Sequence, residues 1–449
     1  MSHDYLDRLA RFAAHTRFDD LPAATVSAAR LVLLDTLGAV VAGSALGENR
    51  RLARLATSRA PGGRASILGH RGRADASWAA LVNATAGVAL EMDEGNRLGG
   101  GHPAIHVIPA ALAVAEERGL GGGQLLEAVV AGYELGSRIG GATTPRPNVH
   151  SHGTWGTIST AVAVARLGDR DAAGMRRIVN LAASMSPANT WTPALEGATI
   201  RNLYPGRSAW EGILAADLDD CGFTGLADGP ADVYGTILAD RFEPKLAVAG
   251  LGERFRIEEN YFKLYACCRY NHFALDAIAA IRAATPFSAN DILAVNVVTI
   301  PFGLRMASAN PPTMLAARFS IPWAVAASLV LGHANIDAFD DRALADQRIR
   351  DLAQRVNVSA DDRMSPRRTD VPTARVSIAL RDGTTLEGSA GVVRGDASNP
   401  VPPADIDAKF MALASPVLGS AGARRAADAA AEVETLKDVR DLTALFTLA

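Results

Sequence analysis

The stretch Lys-Leu-Tyr-Ala-Cys-Cys-Arg-Tyr-Asn-His, at residues 263–272, marks the point where the character of this 449-residue sequence changes. Before it, apolar residues recur at the spacing of amphipathic helices, and glycine-rich connections separate the segments. After it, β-branched runs such as residues 292–300 indicate strands. The stretch therefore predicts a boundary between a helical unit and a mixed one.

The helical pattern covers most of the first 260 or so residues. One helix is predicted to begin after Asp20-Leu21-Pro22, a helix-start signal, and to end near Gly43. Its small residues allow another helix to approach closely. Further helical periodicity appears at residues 6–13, 79–90, 110–117, 125–139, 158–167 and 178–185.

The second part of the chain mixes predicted strands and helices. The sequence Asp382-Gly383 predicts a tight turn between strands at residues 373–381 and 384–388. A further short strand is predicted at residues 356–358, and a helix at 323–331. After a proline-rich break at residues 400–403, helices are predicted at 405–413 and 421–446.

These patterns predict a mainly-α fold with a large all-helical domain and a smaller α+β domain. We place the helical domain at residues 1–262 and the α+β domain at 263–399. Residues 400–449 are predicted to form C-terminal helices that return to the helical domain. A cleft between two such domains is a common place for a small-molecule site.

Composition and charge exclude several classes of protein. The net charge is −3, and no basic tract interleaved with aromatic residues appears, so we expect no nucleic-acid partner. No uninterrupted apolar run reaches the length of a bilayer, and residues 1–4 lack a leader pattern, so we expect no membrane partner. Three cysteines make a disulfide framework improbable and favour the reducing cytoplasm.

Residues 93–103 combine acidic, basic and imidazole groups. Asp93 and Glu94 follow an apolar helix, and Arg97 and His102 follow within ten residues. A carboxylate, an Arg and a His this close can place a base beside an anion-binding group. The same pattern also fits a solvated helix end before a flexible loop.

Two further segments carry candidate residues. His150 and His152 precede a helix rich in small residues, but no carboxylate or Cys nearby in sequence completes a metal set. Arg201 and Arg207 lie just before a predicted helix start, where guanidinium and free N–H groups suit carboxylates. A surface loop and a charged surface turn are the alternatives.

The stretch at residues 263–272 is the densest polar group in the sequence. It contains Lys263, Cys268, Arg269 and His272, at the place where the cleft is expected. Such residues together suit proton transfer and anion binding, and a Cys nucleophile with His272 as base is formally possible. An interdomain linker with salt links is the alternative.

Taken together, these segments resemble the MmgE/PrpD family, which includes 2-methylcitrate dehydratase, cis-aconitate decarboxylase and iminodisuccinate epimerase. The resemblance spans nearly the whole chain, with the elements in the same order. One of them is a His-x-x-x-Thr-x-Gly loop, and another is a Lys-x-Tyr-x-x-Cys-Arg-x-x-His element. The matching elements are residues 34–43, 92–110, 150–156, 263–272 and 318–322.

The resemblance implies a homodimer with a site in the interdomain cleft, and chemistry without a metal or organic cofactor. It implies catalytic roles for a set of six residues, with His150 fitting the family loop better than His152 by its spacing. That set is Asp93, His102, His150, His152, Lys263 and His272. The expected substrate-binding residues are Glu94, Arg97, Arg201, Arg207, Cys268 and Arg269.

Three positions depart from the family pattern. Glu94 stands where the family commonly has Asp, Gly95 stands in place of a hydroxyl residue, and Arg201 in place of Lys. Guanidinium stays protonated, so Arg201 can hold a carboxylate but is a poor proton donor. If the reaction of the family needs a proton from that Lys, either this member catalyses a different reaction or another residue supplies the proton.

The expected activity is a cofactor-independent lyase that removes the proton next to a carboxylate of a small di- or tricarboxylic acid. Asp93 or a His is the expected base, with Arg201, Lys263 and Arg269 as the charge clamp. We expect a dehydratase. An epimerase, a decarboxylase and a non-catalytic carboxylate-binding protein are the alternatives, because the fold does not choose among them.

Overall fold

Helices form most of the chain up to residue 250. The computed structural model of the protein describes residues 4–365 and 373–448, so three of the four residues tested for a leader lie outside it. The helices of this part are α1 (Asp4–His15), α2 (Ala23–Ser44), α3 (Gly47–Arg59), α4 (Ala76–Val88), α5 (Pro103–Arg118), α6 (Gly122–Ala142), α7 (Gly156–Leu167), α8 (Ala172–Ser184), α9 (Thr192–Glu196), α10 (Leu203–Asp220), α11 (Gly229–Asp232) and α12 (Pro244–Ala247).

Sequence periodicity located the buried helices better than the exposed ones. The predicted segments at 6–13, 110–117, 125–139 and 158–167 lie inside α1, α5, α6 and α7. The sequence missed α3, of which only Asn49, Ala53 and Ala56 are buried. Helix α3 gives little apolar periodicity because its buried face consists of one Asn and two Ala, and most of its other residues are polar or charged.

Helix α2 is the central helix of this unit. Its start after Pro22 was predicted, and fifteen of its 22 residues are buried, against α4 and the C-terminal helices among others. Arg30 and Asp35 interrupt α2, so it is not an uninterrupted apolar run. It is nevertheless long and apolar enough to cross a membrane by length and composition alone. Its burial accounts for that composition.

Short strands lie in the segments that connect the helices. They are β1 (Ala65–Ser66), β2 (Arg73–Ala74), β3 (Gly95–Asn96), β4 (Thr143–Pro145), β5 (Ala239–Phe242) and β6 (Asn260–Tyr261). The pair β3–β6 is antiparallel, with Gly95 opposite Tyr261. This pairing brings the loop after α4 next to the segment that begins at Lys263.

The smaller unit is built around a four-stranded sheet. Its helices are α13 (Arg269–Ala284), α14 (Met314–Arg318), α15 (Ile321–Leu331), α16 (Asp341–Ala345) and α17 (Gln347–Ala353). Its strands are β7 (Ile292–Thr299), β8 (Val356–Ala360), β9 (Ala374–Leu380) and β10 (Thr385–Ala390), in the order β10-β9-β7-β8. Only β7 and β8 pair in parallel among the described strands of this sheet.

The sheet and the helices packed on it confirm the predicted fold class, a mainly-α protein with a smaller α+β part. Strand β7 buries Ile292, Val295 and Val297, and α13 and α15 contact the sheet. The turn predicted at Asp382-Gly383 joins β9 to β10. The precise domain limits given above stay predictions.

The C-terminal helices pack against α2. They are α18 (Pro403–Leu418), α19 (Ser420–Ala431) and α20 (Arg440–Thr443). Lys409 of α18 donates to Asp35 Oδ1 of α2 at 2.5 Å and to the Met92 carbonyl at 2.7 Å. A single helix over 421–446 is wrong, because the chain turns after Ala431 to pack against the start of α6, where the Leu436 carbonyl accepts from Gly122 N–H.

The crossing of α2 and α4 depends on a missing side chain. A Cβ atom at Gly43 would lie 1.9 Å from the Ala86 carbonyl oxygen, so Gly43→Ala forces the two backbones apart. Overpacking costs about 1–3 kcal/mol, which outweighs the roughly 1 kcal/mol that Ala adds as a better helix former. We expect a lower melting temperature by calorimetry.

The control is Gly391→Ala, because no described heavy atom lies within 4 Å of a Cβ added there. Its melting temperature should match that of the parent protein. An unchanged or higher melting temperature in Gly43→Ala would contradict the close crossing.

Candidate active site

The site is built on the loop that follows α4. The predicted helix to residue 90 ends at Val88, and the chain then places Glu91, Asp93 and Glu94 in a buried loop. Glu91 has φ +55°, a left-handed conformation that is uncommon for a residue with a side chain. Such strain persists only where the surroundings fix it, and it often accompanies function.

Two buried carboxylates of this loop pair with two buried cations from elsewhere in the chain. Lys263 Nζ lies 2.9 Å from Glu91 Oε2 and 3.0 Å from Asp93 Oδ1. Arg201 Nη1 lies 2.5 Å from Glu91 Oε1. All four side chains are at most 1% exposed, and their two positive and two negative charges balance. We call them the buried ion cluster.

The cluster keeps Asp93 and Lys263 charged. Burial alone would raise the pKa of Asp93, but Lys263, His102 and Arg201 outweigh it and hold the pKa of this carboxyl far below its usual range. Burial alone would lower the pKa of Lys263, but Asp93 and Glu91 outweigh it and raise that pKa. Asp93 is therefore a carboxylate and Lys263 an ammonium at any ordinary pH.

His102 contacts the buried ion cluster through Asp93 and is itself partly exposed to solvent. It is the residue before α5, and its Nδ1 lies 2.6 Å from the Glu94 carbonyl oxygen and 3.0 Å from Asp93 Oδ2. Both neighbours are acceptors, so Nδ1 carries the proton and Nε2 is the position left for chemistry. The His102 side chain is 13% exposed, whereas the four side chains of the buried ion cluster are at most 1% exposed.

Three further histidines surround His102. The His152 ring stacks on His102 with centroids 4.2 Å apart, and its Nε2 lies 3.8 Å from Asp93 Oδ2. The His150 ring stacks on Trp191 at 3.9 Å. His106 is structural, because its Nδ1 donates to the His102 carbonyl and its Nε2 accepts from Gly153 N–H.

Burial holds these three imidazoles neutral. It lowers the pKa of His106 to about 4 and lowers those of His150 and His152 well below their ordinary value. By position, His152 lies closer to Asp93 than His150, although His150 fits the family spacing better. Neither ring nitrogen of His152 has a hydrogen-bond partner among the described residues.

Asp93, His102 and His152 each offer one ligand atom, and these atoms lie within 4.8 Å of one another. No carboxylate is close to His150 and His152 along the sequence, as stated above. In the folded structure, however, Asp93 lies close to His152, so the expectation that no carboxylate is available is wrong. Asp93 already pairs with Lys263, and Arg201 is close, so repulsion opposes a divalent cation here. A site without metal stays our prediction.

His102 faces a cavity of about 450 Å³. The arginines that line it are Arg97, Arg146, Arg269 and Arg305. Asp396 Oδ2 lies 3.5 Å from Arg269, and its Oδ1 lies 3.9 Å from Arg97. The cavity therefore carries an excess of positive charge beside His102, which suits a substrate with several carboxylates.

The predicted charge clamp is only partly at the cavity. Arg269 lines it, whereas Arg201 and Lys263 are buried behind His102 and hold Glu91 and Asp93. The carboxylate that Arg201 holds is thus one of the protein's own. Arg146 and Arg305 were missed, because an isolated Arg outside a motif gives no sequence signal.

Eight of the twelve predicted site residues do not line the cavity, and three of these eight also lie outside the buried ion cluster and the rings of His150 and His152. Glu94 accepts from Tyr133 Oη–H at 2.5 Å and from Ala104 N–H at 3.2 Å, and so fixes the start of α5. Arg207 lies inside α10, not before it, and contacts Asn189 and Glu211. These contacts do not bring Glu94 or Arg207 to a ligand.

The third of these residues is His272, and its position argues against a cysteine nucleophile. His272 Nε2 lies 3.2 Å from the Cys267 carbonyl oxygen, which can only accept, so it donates there. Cys268 lines the cavity, but burial raises its pKa to about 12 and keeps it a thiol. The Cys–His pair considered from the sequence is therefore not formed.

The contacts around residue 95 explain why it is a glycine. A Cβ atom there would lie 2.4 Å from the Tyr261 ring, because β3 pairs directly with β6. The hydroxyl residue that the family commonly has at this position is excluded while Tyr261 occupies the space. Tyr261 and Glu91 are site residues that the sequence did not indicate, since neither belongs to a recognised spacing.

Two family models match most of the chain. A model of the MmgE/PrpD N-terminal domain matches residues 7–239, and one of the MmgE/PrpD C-terminal domain matches residues 265–435. The chain belongs to the MmgE/PrpD family, as the sequence motifs predicted.

Its curated relatives are distant but cover nearly the whole chain. A cis-aconitate decarboxylase-like protein of Aspergillus oryzae is 23% identical over 98% of this chain and 96% of its own length. The cis-aconitate decarboxylase of Aspergillus terreus is 23% identical, over 97% and 94%. The human cis-aconitate decarboxylase is 25% identical, over 82% and 79%.

The Glu94 carboxyl predicts a pH-dependent stability. Burial raises the pKa of Glu94 to about 8, and this effect outweighs the hydrogen bonds from Tyr133 and Ala104, which lower that pKa. Above pH 4.5 the unfolded state loses this proton first, so the contribution of Glu94 to stability falls as pH rises toward 8. Glu94→Gln removes this loss, so its melting temperature should exceed that of the parent by several degrees at pH 8 and match it near pH 5.

The control is Glu387→Gln on the exposed face of β10, for which the difference from the parent should not change with pH. A Glu94→Gln variant whose difference is also flat between pH 5 and pH 8 would contradict a neutral, buried Glu94.

Proposed function

We propose that this protein is a lyase that acts on a small polycarboxylate without a metal or organic cofactor. The observation that carries the proposal is His102, backed by the Asp93 carboxylate and facing a cavity lined by four arginines. A proton donor or acceptor beside several cations is what a reaction at carbon next to a carboxylate needs.

The parts divide the work as follows. Arg97 and Arg269 bind substrate carboxylates and stabilise the negative charge that develops on them. His102 Nε2 exchanges the proton with carbon, while Asp93 holds the ring and stabilises its charged form. The buried ion cluster fixes Asp93, so the base of the sequence prediction becomes His102 with Asp93 behind it.

The bond broken is, in our proposal, the C–C bond to a carboxylate. Loss of carbon dioxide leaves an electron pair on carbon, and the imidazolium of His102 supplies one proton to it. The relatives named above as cis-aconitate decarboxylases support this choice. The neutral His150 and His152 suit it too, because only one charged donor is required.

Dehydration, which the sequence favoured, is the second candidate. It needs a base for the carbon-bound proton and a separate acid for the departing hydroxyl. Tyr261 can be that acid, because it lines the cavity, burial keeps its pKa raised, and its ring lies 6.1 Å from that of His102. The homodimer and the cytoplasmic location stay predictions.

The test is proton NMR in heavy water with protein dialysed against a chelator. Incubation with cis-aconitate should release carbon dioxide and give a product with one deuterium on carbon, and 2-methylcitrate should react more slowly. Dehydration of 2-methylcitrate alone would select the second candidate. Absence of both turnover and deuterium exchange with every polycarboxylate would leave a binding protein and contradict the lyase.

Two neighbouring acids give a matched pair of variants. Asp93→Asn removes the carboxylate behind His102 and should lower kcat by about 10²–10⁴-fold, with the circular dichroism spectrum unchanged. Glu94→Gln replaces a carboxyl that is already neutral at pH 7, so kcat should stay within a few-fold. Near-normal turnover in Asp93→Asn would remove Asp93 from the mechanism.

A further inference from the structure

The backbone of the loop after α4 is held on both sides of Glu91. The Leu90 carbonyl accepts from Arg318 Nε at 3.3 Å. The Met92 carbonyl accepts from Lys409 Nζ at 2.7 Å. Arg318 is the last residue of α14 in the smaller unit, and Lys409 belongs to α18 of the C-terminal helices. Two cations from separate parts of the chain therefore hold the peptides that flank the left-handed residue of the site.

The contact at the Met92 carbonyl acts directly on Asp93. That carbonyl and the Asp93 N–H belong to one planar peptide unit, so a rotation of the carbonyl also turns the backbone of Asp93. Asp93 Oδ2 in turn lies 3.0 Å from His102 Nδ1. Lys409 is thus connected to the imidazole at the cavity through one peptide unit and one carboxylate.

Lys409 also forms a buried ion pair. Its Nζ donates to Asp35 Oδ1 at 2.5 Å, and the two side chains are 7% and 0% exposed. Burial raises the pKa of Asp35, and Lys409 opposes this rise. A buried ion pair often stabilises a fold no more than apolar side chains of similar volume would. The ion pair alone therefore does not account for a lysine at this position, whereas the bond to the Met92 carbonyl does.

Arg318 is buried without a carboxylate at ion-pair distance among the described residues. It is 2% exposed, and it donates to the carbonyl oxygens of Leu90, Met314 and Phe339. Burial lowers its pKa to about 10, and the Glu91 carboxylate opposes this effect. A buried charge without a paired carboxylate costs free energy. Stability therefore does not account for Arg318, whereas its bond to the Leu90 carbonyl does.

We propose that Lys409 and Arg318 are positioning residues of the active site. They hold the carbonyls on either side of Glu91 and so place Asp93 against His102. This inference rests on the proposed function and adds two residues to it. Neither side chain is among the described residues that line the cavity, so their effect on the reaction passes through the loop. A displacement of about 1 Å at a reacting group can lower a rate about 100-fold.

The test for Lys409 separates its ion pair from its carbonyl contact. Asp35→Asn keeps an acceptor for Lys409 and leaves the bond to Met92 in place, so kcat should stay within a few-fold of the parent value. The double variant Asp35→Asn/Lys409→Met removes both charges together and leaves the Met92 carbonyl without this donor. Its kcat should fall by about 10- to 100-fold with KM within about twofold, because the cavity arginines are unchanged.

Lys409→Arg and Lys437→Met complete the set. Lys409→Arg keeps a donor and should retain most of kcat, whereas Lys437→Met removes an exposed lysine and should change neither kcat nor KM. A purely structural ion pair predicts the reverse order, because Asp35→Asn leaves Lys409 unpaired and the double variant does not. That order, an unchanged kcat in the double variant, or a double variant that does not fold by circular dichroism overturns the role of Lys409.

The test for Arg318 uses the same measurements on cis-aconitate and 2-methylcitrate. Arg318→Met should lower kcat by about tenfold or more with little change in KM, and Arg342→Met, at an exposed position of α16 in the same unit, should change neither. An unchanged kcat in Arg318→Met, or failure of this variant to fold, overturns the role of Arg318 and leaves the proposed function standing. A parent protein that turns over neither acid overturns the proposed function together with this inference.

Discussion

The ion pairs of Lys263 with Glu91 and Asp93 are the interaction on which the site depends. They join the loop after α4 to the segment that begins the smaller unit, and the β3–β6 pairing holds the two side by side. A buried charge left without its partner costs several kcal/mol, so each member fixes the others. These ion pairs fix Asp93, and Asp93 in turn fixes the position of His102.

Arg201 has a different meaning in the structure from the one the sequence suggested. The substitution of Arg for the family Lys points from sequence alone to an altered proton donor. In the structure Arg201 pairs with Glu91, which is itself held in a left-handed conformation. The guanidinium therefore completes an ion pair with a carboxylate of the protein itself. Our proposal assigns the proton transfer to His102, which borders the cavity.

The fold class could be predicted from the sequence, and so could several residues of the candidate site, for identifiable reasons. Buried helices such as α2 and the turn at Asp382-Gly383 leave strong local patterns, and Asp93, His102 and Lys263 belong to spaced motifs. Glu91 could not be found, because its role depends on contacts with Lys263 and Arg201, far away in the chain. Local spacing likewise could not show that His272 turns away from the cavity or that Arg305 faces it.

The most direct test of the central claim is a crystal structure of the protein with a slowly reacting or inert tricarboxylate bound. The account predicts ligand carboxylates at Arg97 and Arg269, a ligand carbon about 3–3.5 Å from His102 Nε2, and Lys263 still paired with Glu91 and Asp93. A ligand carboxylate bound directly by Lys263 and Arg201, with Glu91 displaced, would contradict it.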